Sequence, residues 1–164
     1  MANSLVLMFQ QGKGLSRWPI ANVYTSCMFG DNANMLFIDA YRKDIRNFNI
    51  TEAYTAMYLN AMAPQPKDGR GNIEDYILYH YIPIESKETG TSNTLNYAYN
   101  DWAIAEFAQI LGLTQDEAMF RERATYWRNV FSTDALFMCA RHAVTQKEKA
   151  IYFLFYSVSL GRRV

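Results

Sequence analysis

The chain has 164 residues, of which half are hydrophobic and 15% are aromatic, with 16 basic residues balanced by 16 acidic ones. This composition is typical of one globular domain with a sizeable core and excludes a disordered chain. The balanced charge argues against nucleic acid or an anionic membrane as the main partner. The apolar runs 5-LVLMF-9 and 150-AIYFLFYSVSL-160 are shorter than the roughly 20 residues of a bilayer span, so no membrane segment is predicted. Met1 leads into the first run without the basic region of a signal peptide.

Apolar residues at helical spacing predict the first two helices. Segment 3–11 is followed by Gly12 and Gly14, which are typical of helix C-termini. After a predicted loop at 15-LSRWP-19, Pro19 suits the first turn of a second helix, which we expect over 20–43. The apolar stripe of that helix consists of Tyr24, Cys27, Met28, Met35, Ile38 and Tyr41.

A third helix is predicted over 49–62, because Asn49 is followed three residues later by Glu52 in a capping-box pattern. Its apolar stripe consists of Tyr54, Met57, Tyr58 and Ala61. The connection from Pro64 to Thr91 is rich in proline and glycine. We therefore expect at most a short helix near 73-IEDYILYH-80.

The fourth and fifth helices form a predicted antiparallel hairpin with a very tight turn. The fourth spans 92–112 and ends at Gly112, and 114-TQDE-117 opens the fifth with a second capping box. The spacing of four apolar residues predicts that the fifth helix buries Phe120, Ala124, Trp127 and Phe131.

Asp101 is unexpected because it lies inside the apolar run of the fourth helix. Its helical stripe is shared with Tyr97, Ile104, Ala108 and Leu111. A carboxylate placed there is at least partly buried, which costs several kcal/mol unless it is hydrogen-bonded or paired. The residues alone leave two interpretations open, a catalytic acid or a structural hydrogen-bond hub.

The loops predicted between these helices are distributed unevenly. If consecutive helices run antiparallel, the long loops at 12–19, 64–91 and 132–142 meet at one end of the bundle. The short turns at 44–50 and 112–114 then lie at the other end. Because long loops on a rigid scaffold often carry binding and catalytic residues, we expect any functional site at the long-loop end.

Several separated blocks of the sequence follow one another in the order of a known family. They are 15-LSRWPIANVYTSCMFGDNA-33, 38-IDAYRKDIRNFNITEAYTAM-57, 81-YIPIESKETGTSNTLNYAYNDWAIAEFAQILG-112 and 120-FRERATYWRNVFSTDALFMCAR-141. These blocks resemble glycoside hydrolase family 92, whose members have an N-terminal β-sandwich and a C-terminal (α/α)6 barrel. The resemblance implies an all-α fold over 1–141, a partial (α/α)6 barrel made of antiparallel helical hairpins. Residues 142–164 form a divergent tail without the resemblance, which favours a truncated or mis-spliced gene over a genuine alternative ending.

The resemblance implies a calcium-dependent, exo-acting hydrolase of terminal α-mannosides, chiefly α-1,2 linkages of N-glycans, that inverts the anomeric carbon. Members of the family are usually secreted or periplasmic. The family's catalytic acid and base come from segments that this sequence lacks, so the resemblance assigns it no catalytic residue. Calcium is expected in the full-length enzyme and not in this fragment, and we expect the isolated chain to be inactive.

The substrate-binding candidates are Arg17, Trp18, Glu88 and Arg141, which fall at the predicted long-loop end. A tryptophan ring can stack on a sugar face, and a guanidinium can hold hydroxyl or carboxylate oxygens. The alternative is structural: Trp18 packs at the entry of a helix while Arg17 pairs with an acid. For Asp101, the family comparison favours the structural hub over the catalytic acid.

The remaining motifs are weaker. His80 and His142 lie 62 residues apart without ligand spacing, so no metal-binding residue is predicted. The triplet 49-NIT-51 is a possible glycosylation acceptor that coincides with a predicted helix cap. A second function stays open, a non-catalytic helical interaction module derived from a truncated glycosidase. Five helices of a larger barrel would expose apolar faces that favour self-association.

Overall fold

The computed structural model describes residues 1–12, 14–15, 18–20, 23–24, 30–62, 69–87, 89–143 and 153–154. Within these residues the protein is mostly helical, which confirms the predicted fold class. The helices are α1 (Ala2–Gly12), α2 (Ala33–Arg42), α3 (Ile50–Met62), α4 (Ile73–Tyr79), α5 (Gly90–Leu111), α6 (Thr114–Arg123) and a 3₁₀ helix at Tyr126–Val130. Among these described helices, none combines the length and apolarity that crossing a membrane requires.

Six two-residue strands accompany the helices and form three antiparallel pairs. The strands are β1 (Pro19–Ile20), β2 (Val23–Tyr24), β3 (Phe131–Ser132), β4 (Phe137–Met138), β5 (Ala140–Arg141) and β6 (Phe153–Leu154). β1 pairs with β2, β3 with β4, and β5 with β6. The last pair places Phe153–Leu154 beside Ala140–Arg141.

The prediction of one helix over 20–43 is wrong at its N-terminal end. Where the structure describes this segment, β1 and β2 form a tight hairpin and α2 begins only at Ala33. Gly30 has φ of +79°, a left-handed conformation that interrupts a helix. A side chain on Gly30 would also meet the Asn96 side chain at 2.9 Å. Cys27 and Met28, which belong to the predicted stripe, lie outside the described residues.

The N-terminus of α3 confirms half of the predicted capping box. The Asn49 side-chain oxygen accepts a hydrogen bond from the backbone N–H of Glu52 at 3.1 Å, and the Asn49 carbonyl accepts one from Ala53 at 3.0 Å. The Glu52 carboxylate is engaged elsewhere, accepting a hydrogen bond from Gln10 of α1 at 2.7 Å. Asn49 thus caps α3, while Glu52 ties α3 to α1.

The α5–α6 hairpin is confirmed, whereas the second capping box is wrong. Gly112 closes α5 with φ of +71°, and the Leu113 N–H donates back to the Ala108 carbonyl at 2.9 Å. Thr114 is already the first residue of α6, and no side-chain cap is found at that end among the described residues. The turn leaves no room for Thr114 to precede the helix as its cap.

The fifth helix is shorter than predicted, because α6 ends at Arg123 and a 3₁₀ turn follows. Phe120 is buried as expected, but Trp127 is exposed and Phe131, in strand β3, is half-buried. The helical stripe predicted to bury both rings is therefore wrong beyond Arg123. Tyr126 and Val130 are buried in their place, since a change from α to 3₁₀ geometry rotates the face that points inward.

Helix α5 is the centre of the fold, and 12 of its 22 residues are buried. One side joins a large core with α1, α2, α3 and α6, exemplified by Phe37, Met57 and Phe107. A second, smaller core lies under α4 and consists of Ile73, Tyr76, Ile82, Tyr97 and Tyr126. Close packing fixes the start of α5, because a side-chain carbon on Gly90 would stand 2.3 Å from the Ile82 carbonyl oxygen.

Candidate functional site: a buried charged cluster around Asp101

Four charged side chains and one tyrosine meet inside the protein, and we call them the Asp101 cluster. Its members are Asp31 before α2, Arg70 before α4, Tyr76 of α4, Asp101 of α5 and Arg123 of α6. The Arg70 Nη1 donates to Asp101 Oδ1 at 2.5 Å, and its Nε donates to Asp31 Oδ2 at 2.5 Å. The side chains of Arg70, Asp31 and Asp101 are 0% exposed.

Both oxygens of Asp101 are occupied. Oδ1 faces Arg70, while Oδ2 accepts from Arg123 Nε at 3.0 Å and from the Tyr76 hydroxyl at 3.1 Å. Arg123 also donates through Nη2 to the Ala61 carbonyl at 3.0 Å. The Ala61 carbonyl lies in the last turn of α3, where a carbonyl has no partner within its own helix, and this bond satisfies it. The cluster therefore joins α3, α4, α5 and α6 with the segments before α2 and α4.

The charges of the cluster balance, since two aspartates face two arginines. Burial opposes the charged form of Arg70, but the Asp101 and Asp31 carboxylates outweigh it, and the pKa of Arg70 is raised above its ordinary value. Burial and the nearby Asp101 carboxylate together raise the pKa of the Tyr76 hydroxyl well above its ordinary value. Tyr76 therefore stays a neutral hydrogen-bond donor across the working pH range.

Aromatic rings enclose the guanidinium groups. The Arg70 guanidinium carbon lies 4.9 Å from the Tyr97 ring centroid, and that of Arg123 lies 5.4 Å from Tyr76 and 5.1 Å from Phe120. Tyr76 and Tyr97 contact each other edge to face, with centroids 5.4 Å apart. Cation–π contacts of this kind are stronger in buried sites, and these guanidinium groups are buried.

Some buried polar atoms at the cluster lack a hydrogen-bond partner among the described residues. They include Asp31 Oδ1, Arg70 Nη2, both side-chain polar atoms of Asn34 and the Asn100 oxygen. Asp31 and Asn34 are joined by a backbone hydrogen bond of 2.8 Å, and Asn100 neighbours Asp101 in α5. The region between the start of α2 and the middle of α5 is thus unusually polar for a protein interior.

This geometry favours a structural role for Asp101 over a catalytic one. A general acid must reach the leaving oxygen of a substrate, and an inverting glycosidase also needs room for a water between its two carboxyl groups. Asp101 is enclosed, and each of its oxygens already accepts a charge-assisted hydrogen bond. Its structural role remains a prediction that stability measurements can test.

The four substrate-binding candidates have different positions. Arg17 and Glu88 lie outside the described residues. Trp18 is 46% exposed, as a ring that contacts a ligand requires, and Arg141 is half-buried. The binding role of all four stays a prediction.

Arg141 belongs to a set of contacts that hold β5 against the loop after α4. Its guanidinium lies over the Tyr81 ring at 4.9 Å and donates to the Asn129 carbonyl. The Tyr81 hydroxyl donates to the His142 carbonyl at 2.6 Å, and His142 Nδ1 lies 2.6 Å from Glu85 Oε1. Arg141 therefore helps to pack β5 against this loop, and its substrate-binding role stays a prediction.

Carboxylates, the side chains that most often bind calcium, are not clustered among the described residues. Within them, no group of three or more histidine, cysteine, aspartate or glutamate side chains comes together to hold a metal. The two buried carboxylates, Asp31 and Asp101, are each paired with a guanidinium. A cation there would have to displace an arginine that is itself buried.

Sequence reasoning identified Asp101 and missed the rest of the cluster. Arg70 lies in the connection after Pro64, and Asp31 lies in a segment predicted as helix interior. No feature of the sequence distinguishes Arg123 from the exposed arginines. The usable signal was indirect, because a buried carboxylate requires a buried cation or donors. Nothing in the sequence selects which of the 16 basic residues supplies it.

The fold resembles solved glycosidases. The family GH92 inverting mannosidase BT2199 of Bacteroides thetaiotaomicron superimposes with a TM-score of 0.81 and 28% identity, covering 87% of this chain and 20% of its own. The family GH92 α-mannosidase BT3965 of the same organism gives 0.79 and 28%, covering 87% of this chain and 19% of its own. BT3965 has also been solved in complex with mannoimidazole.

Sequence comparison agrees. A protein of the fungus Arthroderma benhamiae, described as an uncharacterized secreted glycosidase, is 30% identical over an alignment of 117 positions that covers 64% of this chain and 15% of the fungal protein. Fold and relatives together define the class of protein, a helical part of a glycosidase. The glycosyl hydrolase family 92 catalytic domain matches residues 1–151, and the chain belongs to that family. It spans a fifth or less of the length of these relatives.

Proposed function

We propose that this chain is part of an enzyme that hydrolyses terminal α-mannosides with inversion, and that α-1,2-linked mannose of N-glycans is its substrate. The observation that carries the proposal is the similarity to an inverting mannosidase at a TM-score of 0.81 over 87% of the chain. The mannoimidazole complex of a second relative supports a mannose-shaped ligand. The fungal relative, described as secreted, supports an enzyme that acts outside the cytoplasm.

The isolated chain is inactive under this proposal, because inverting hydrolysis needs two carboxyl groups about 6.5–9.5 Å apart across the scissile bond. The one buried acid of α5, Asp101, is occupied by two arginines. The test incubates the purified 164-residue chain with an aryl α-mannoside and with α-1,2-mannobiose. We expect no release of mannose above buffer, and turnover that scales with protein concentration would overturn the inactivity.

A chimera tests the enzyme proposal directly. Residues 1–141 replace the matching segment of the Bacteroides inverting mannosidase, and the purified chimera is assayed on the same substrates. We expect mannose release, with the β-anomer appearing first by NMR because the reaction inverts. A chimera that folds to a single species and shows a native unfolding transition yet releases no mannose contradicts the proposal.

The substrate-binding role of Trp18 is tested in the same chimera. Trp18→Ala removes an exposed ring that is able to stack on a sugar. We expect kcat/KM to fall by up to about tenfold with an unchanged unfolding midpoint. Trp127→Ala, which removes another exposed ring, serves as the matched control and leaves kcat/KM unchanged.

We propose that the complete enzyme requires calcium for activity. A calcium ion supplies a hard Lewis acid that holds sugar and water oxygens in place. Because no group of three or more histidine, cysteine, aspartate or glutamate side chains is found among the described residues, we propose that the calcium ligands come from the remainder of the enzyme. Chelation abolishes turnover by the chimera and leaves the unfolding midpoint of the isolated chain unchanged. A midpoint that rises with added calcium would place a site in this chain.

A second candidate function is a non-catalytic module that associates through its apolar faces. It is favoured by large side chains that stand in solvent, such as Leu78 of α4, 69% exposed, and Phe137 of β4, 71% exposed. Sedimentation over a range of concentrations tests it. A monomer that unfolds cooperatively argues against self-association, whereas a reversible dimer that Phe137→Ser dissolves supports it.

A further inference from the structure

We propose that Asn49 is an acceptor for N-linked glycosylation, so that the protein carries an oligosaccharide at the turn between α2 and α3. Asn49-Ile50-Thr51 is the only Asn-X-Ser/Thr triplet among the 164 residues. A triplet alone occurs often by chance. Three structural observations about its exposure, its hydrogen bonds and its position carry the inference.

The acceptor triplet lies on the surface. Asn49 and Thr51 are exposed, and the preceding stretch 42–47 is exposed throughout. Phe48 is buried beneath the turn and fixes its position, stacking at a tilt against Phe37 with ring centroids 5.5 Å apart. A bulky, hydrated sugar attached here enters solvent without displacing core side chains.

The hydrogen bonds that Asn49 makes to the described residues leave the reacting atom available. The helix cap uses the side-chain oxygen, which accepts from the Glu52 N–H at 3.1 Å, and the backbone carbonyl, which accepts from Ala53. The sugar is attached to the other side-chain atom, the amide nitrogen. Since a glycosylated asparagine is still an amide with a free carbonyl oxygen, the α3 cap persists after modification.

The chemistry is a glycosyl transfer from a lipid-linked oligosaccharide pyrophosphate. The bond formed joins the Asn49 amide nitrogen to the anomeric carbon of the first sugar. The bond broken joins that carbon to the pyrophosphate oxygen, and the lipid pyrophosphate leaves with the electron pair. The amide nitrogen loses one proton to the transferase, so that atoms and charge balance.

The position keeps the sugar away from the Asp101 cluster. Arg123 of the cluster binds the Ala61 carbonyl near the C-terminus of α3, and Asn49 lies at the N-terminus of the same helix. At 1.5 Å per residue, twelve residues of helix separate the two points by roughly 18 Å. The sugar therefore does not block the Asp101 cluster. It also does not block the C-terminal end of α3, which lies at the predicted long-loop end.

The inference rests on the proposed function only for its compartment, because the transferase acts in the secretory route. The full chain is expressed behind a cleavable secretion signal in a yeast host. Both the secreted protein and the protein retained in the cells are examined. Because the sugar is added before export, glycosylation is detected even if little protein is secreted. Protein from each pool is treated with an endoglycosidase, separated by gel electrophoresis and mapped by peptide mass.

Three variants make the test specific. Thr51→Ala and Asn49→Asp each destroy the triplet, yet Asn49→Asp still caps α3 and Thr51→Ala keeps Asn49 intact. Thr51→Ser preserves the triplet. We expect an endoglycosidase-sensitive shift in the wild type and in Thr51→Ser, its complete loss in the other two variants, and a sugar-bearing peptide that contains Asn49.

An unshifted wild type in both pools, beside a host glycoprotein that does shift, overturns the proposal. A shift that survives in Thr51→Ala and Asn49→Asp overturns it as well, because the sugar then lies elsewhere. Mannosidase turnover plays no part in the readout. Failure of the chimera to release mannose and failure of Asn49 to be modified are therefore separate results.

Discussion

Helix α5 carries two arginine-paired acids five residues apart, and they are in opposite environments. Asp101 is 0% exposed and meets Arg70 and Arg123, whose side chains are 0% and 5% exposed. Glu106 is 13% exposed and meets Arg42 and Arg121, whose side chains are 51% and 37% exposed. Each acid has two cationic partners, so the number of ion pairs does not distinguish them.

The difference lies in what happens when a partner is lost. A guanidinium left alone near the surface is hydrated again, and exposed ion pairs contribute about 0.2–1 kcal/mol. A guanidinium of the Asp101 cluster that loses its carboxylate partner remains buried among tyrosine rings, where an unpaired charge costs several kcal/mol. The buried pairs are therefore expensive to break rather than strongly stabilising, and substitution on the two sides of α5 should reveal this asymmetry.

The largest effect is expected for Asp101→Asn, which keeps the shape of the side chain and removes its charge. Arg70 and Arg123 would then share only Asp31 as a buried counter-charge. We expect the free energy of unfolding to fall by about 3–5 kcal/mol, measured by urea titration followed by circular dichroism.

The control for this measurement is Glu106→Gln, the same chemical change on the same helix. If Asp101→Asn lowers the free energy of unfolding no more than Glu106→Gln does, the buried cluster contributes no more to stability than the exposed ion pairs. In the chimera, Asp101→Asn lowers turnover only through loss of folded protein. Lost turnover at an unchanged unfolding midpoint would instead return Asp101 to the catalytic interpretation.

A smaller loss is expected for Arg123→Met, because Asp101 keeps Arg70 as a partner. The substitution removes the bonds to Asp101 Oδ2 and to the Ala61 carbonyl while the methionine fills much of the space. We expect a loss of about 2 kcal/mol by the same titration. A loss as large as that of Asp101→Asn would show that Arg70 alone cannot neutralise the acid.

Tyr76→Phe tests the uncharged member of the cluster. It deletes the hydroxyl that lies 3.1 Å from Asp101 Oδ2 and 3.3 Å from the Arg123 carbonyl, and it keeps the ring contacts with Tyr97 and Tyr126. We expect a loss of about 1 kcal/mol. Thermal unfolding of Tyr97→Phe, which removes a bond to the Gly71 carbonyl, provides a matched comparison outside the ion pairs.

The smallest effect concerns Glu85, an acid more exposed than Glu106. Burial acts to raise the pKa of Glu85, but hydrogen bonds from the Ala143 N–H and from His142 outweigh it, and the pKa is lowered in the folded state. A lowered folded pKa contributes stability that is present above the unfolded value, near 4.3, and is lost as pH falls through the folded value. Glu85→Gln should therefore flatten the decline in unfolding midpoint below about pH 5. If the unfolding midpoint of Glu85→Gln declines with pH as the wild type does, Glu85 does not contribute to the loss of stability in acid.

Short sequence patterns correctly predicted the helix ends that depend on neighbouring residues. The Asn49 cap and the Gly112 stop each depend on a few neighbouring residues, and both occur. The helix predicted over 20–43 failed at its N-terminal end because apolar spacing ignored Gly30, whose left-handed backbone lies where an added side chain would meet Asn96. The 3₁₀ turn after Arg123 failed for a similar reason, since Tyr126 turns inward to meet Tyr76.

The candidate site was predictable only in part. The helical period places Asp101 on the stripe of Tyr97, Ile104 and Ala108, all of which are buried. Its partners come from segments that lack a periodic pattern, with Arg70 31 residues before Asp101 and a further 39 residues after Asp31. Periodicity reports which way a side chain faces, but not which distant segment comes to meet it.

That long-range origin has a kinetic consequence. Asp31, Arg70 and Asp101 come together only after two long stretches of chain have closed, and each closure costs entropy before any contact repays it. The α5–α6 hairpin, by contrast, needs only the two residues Gly112 and Leu113 to turn back. The hairpin is thus suited to form early, and the ion cluster to close late, on the native side of the folding barrier. Interactions formed that late slow unfolding more than they speed folding. The buried arginines would then act chiefly by slowing unfolding, and so they would determine the lifetime of the folded state.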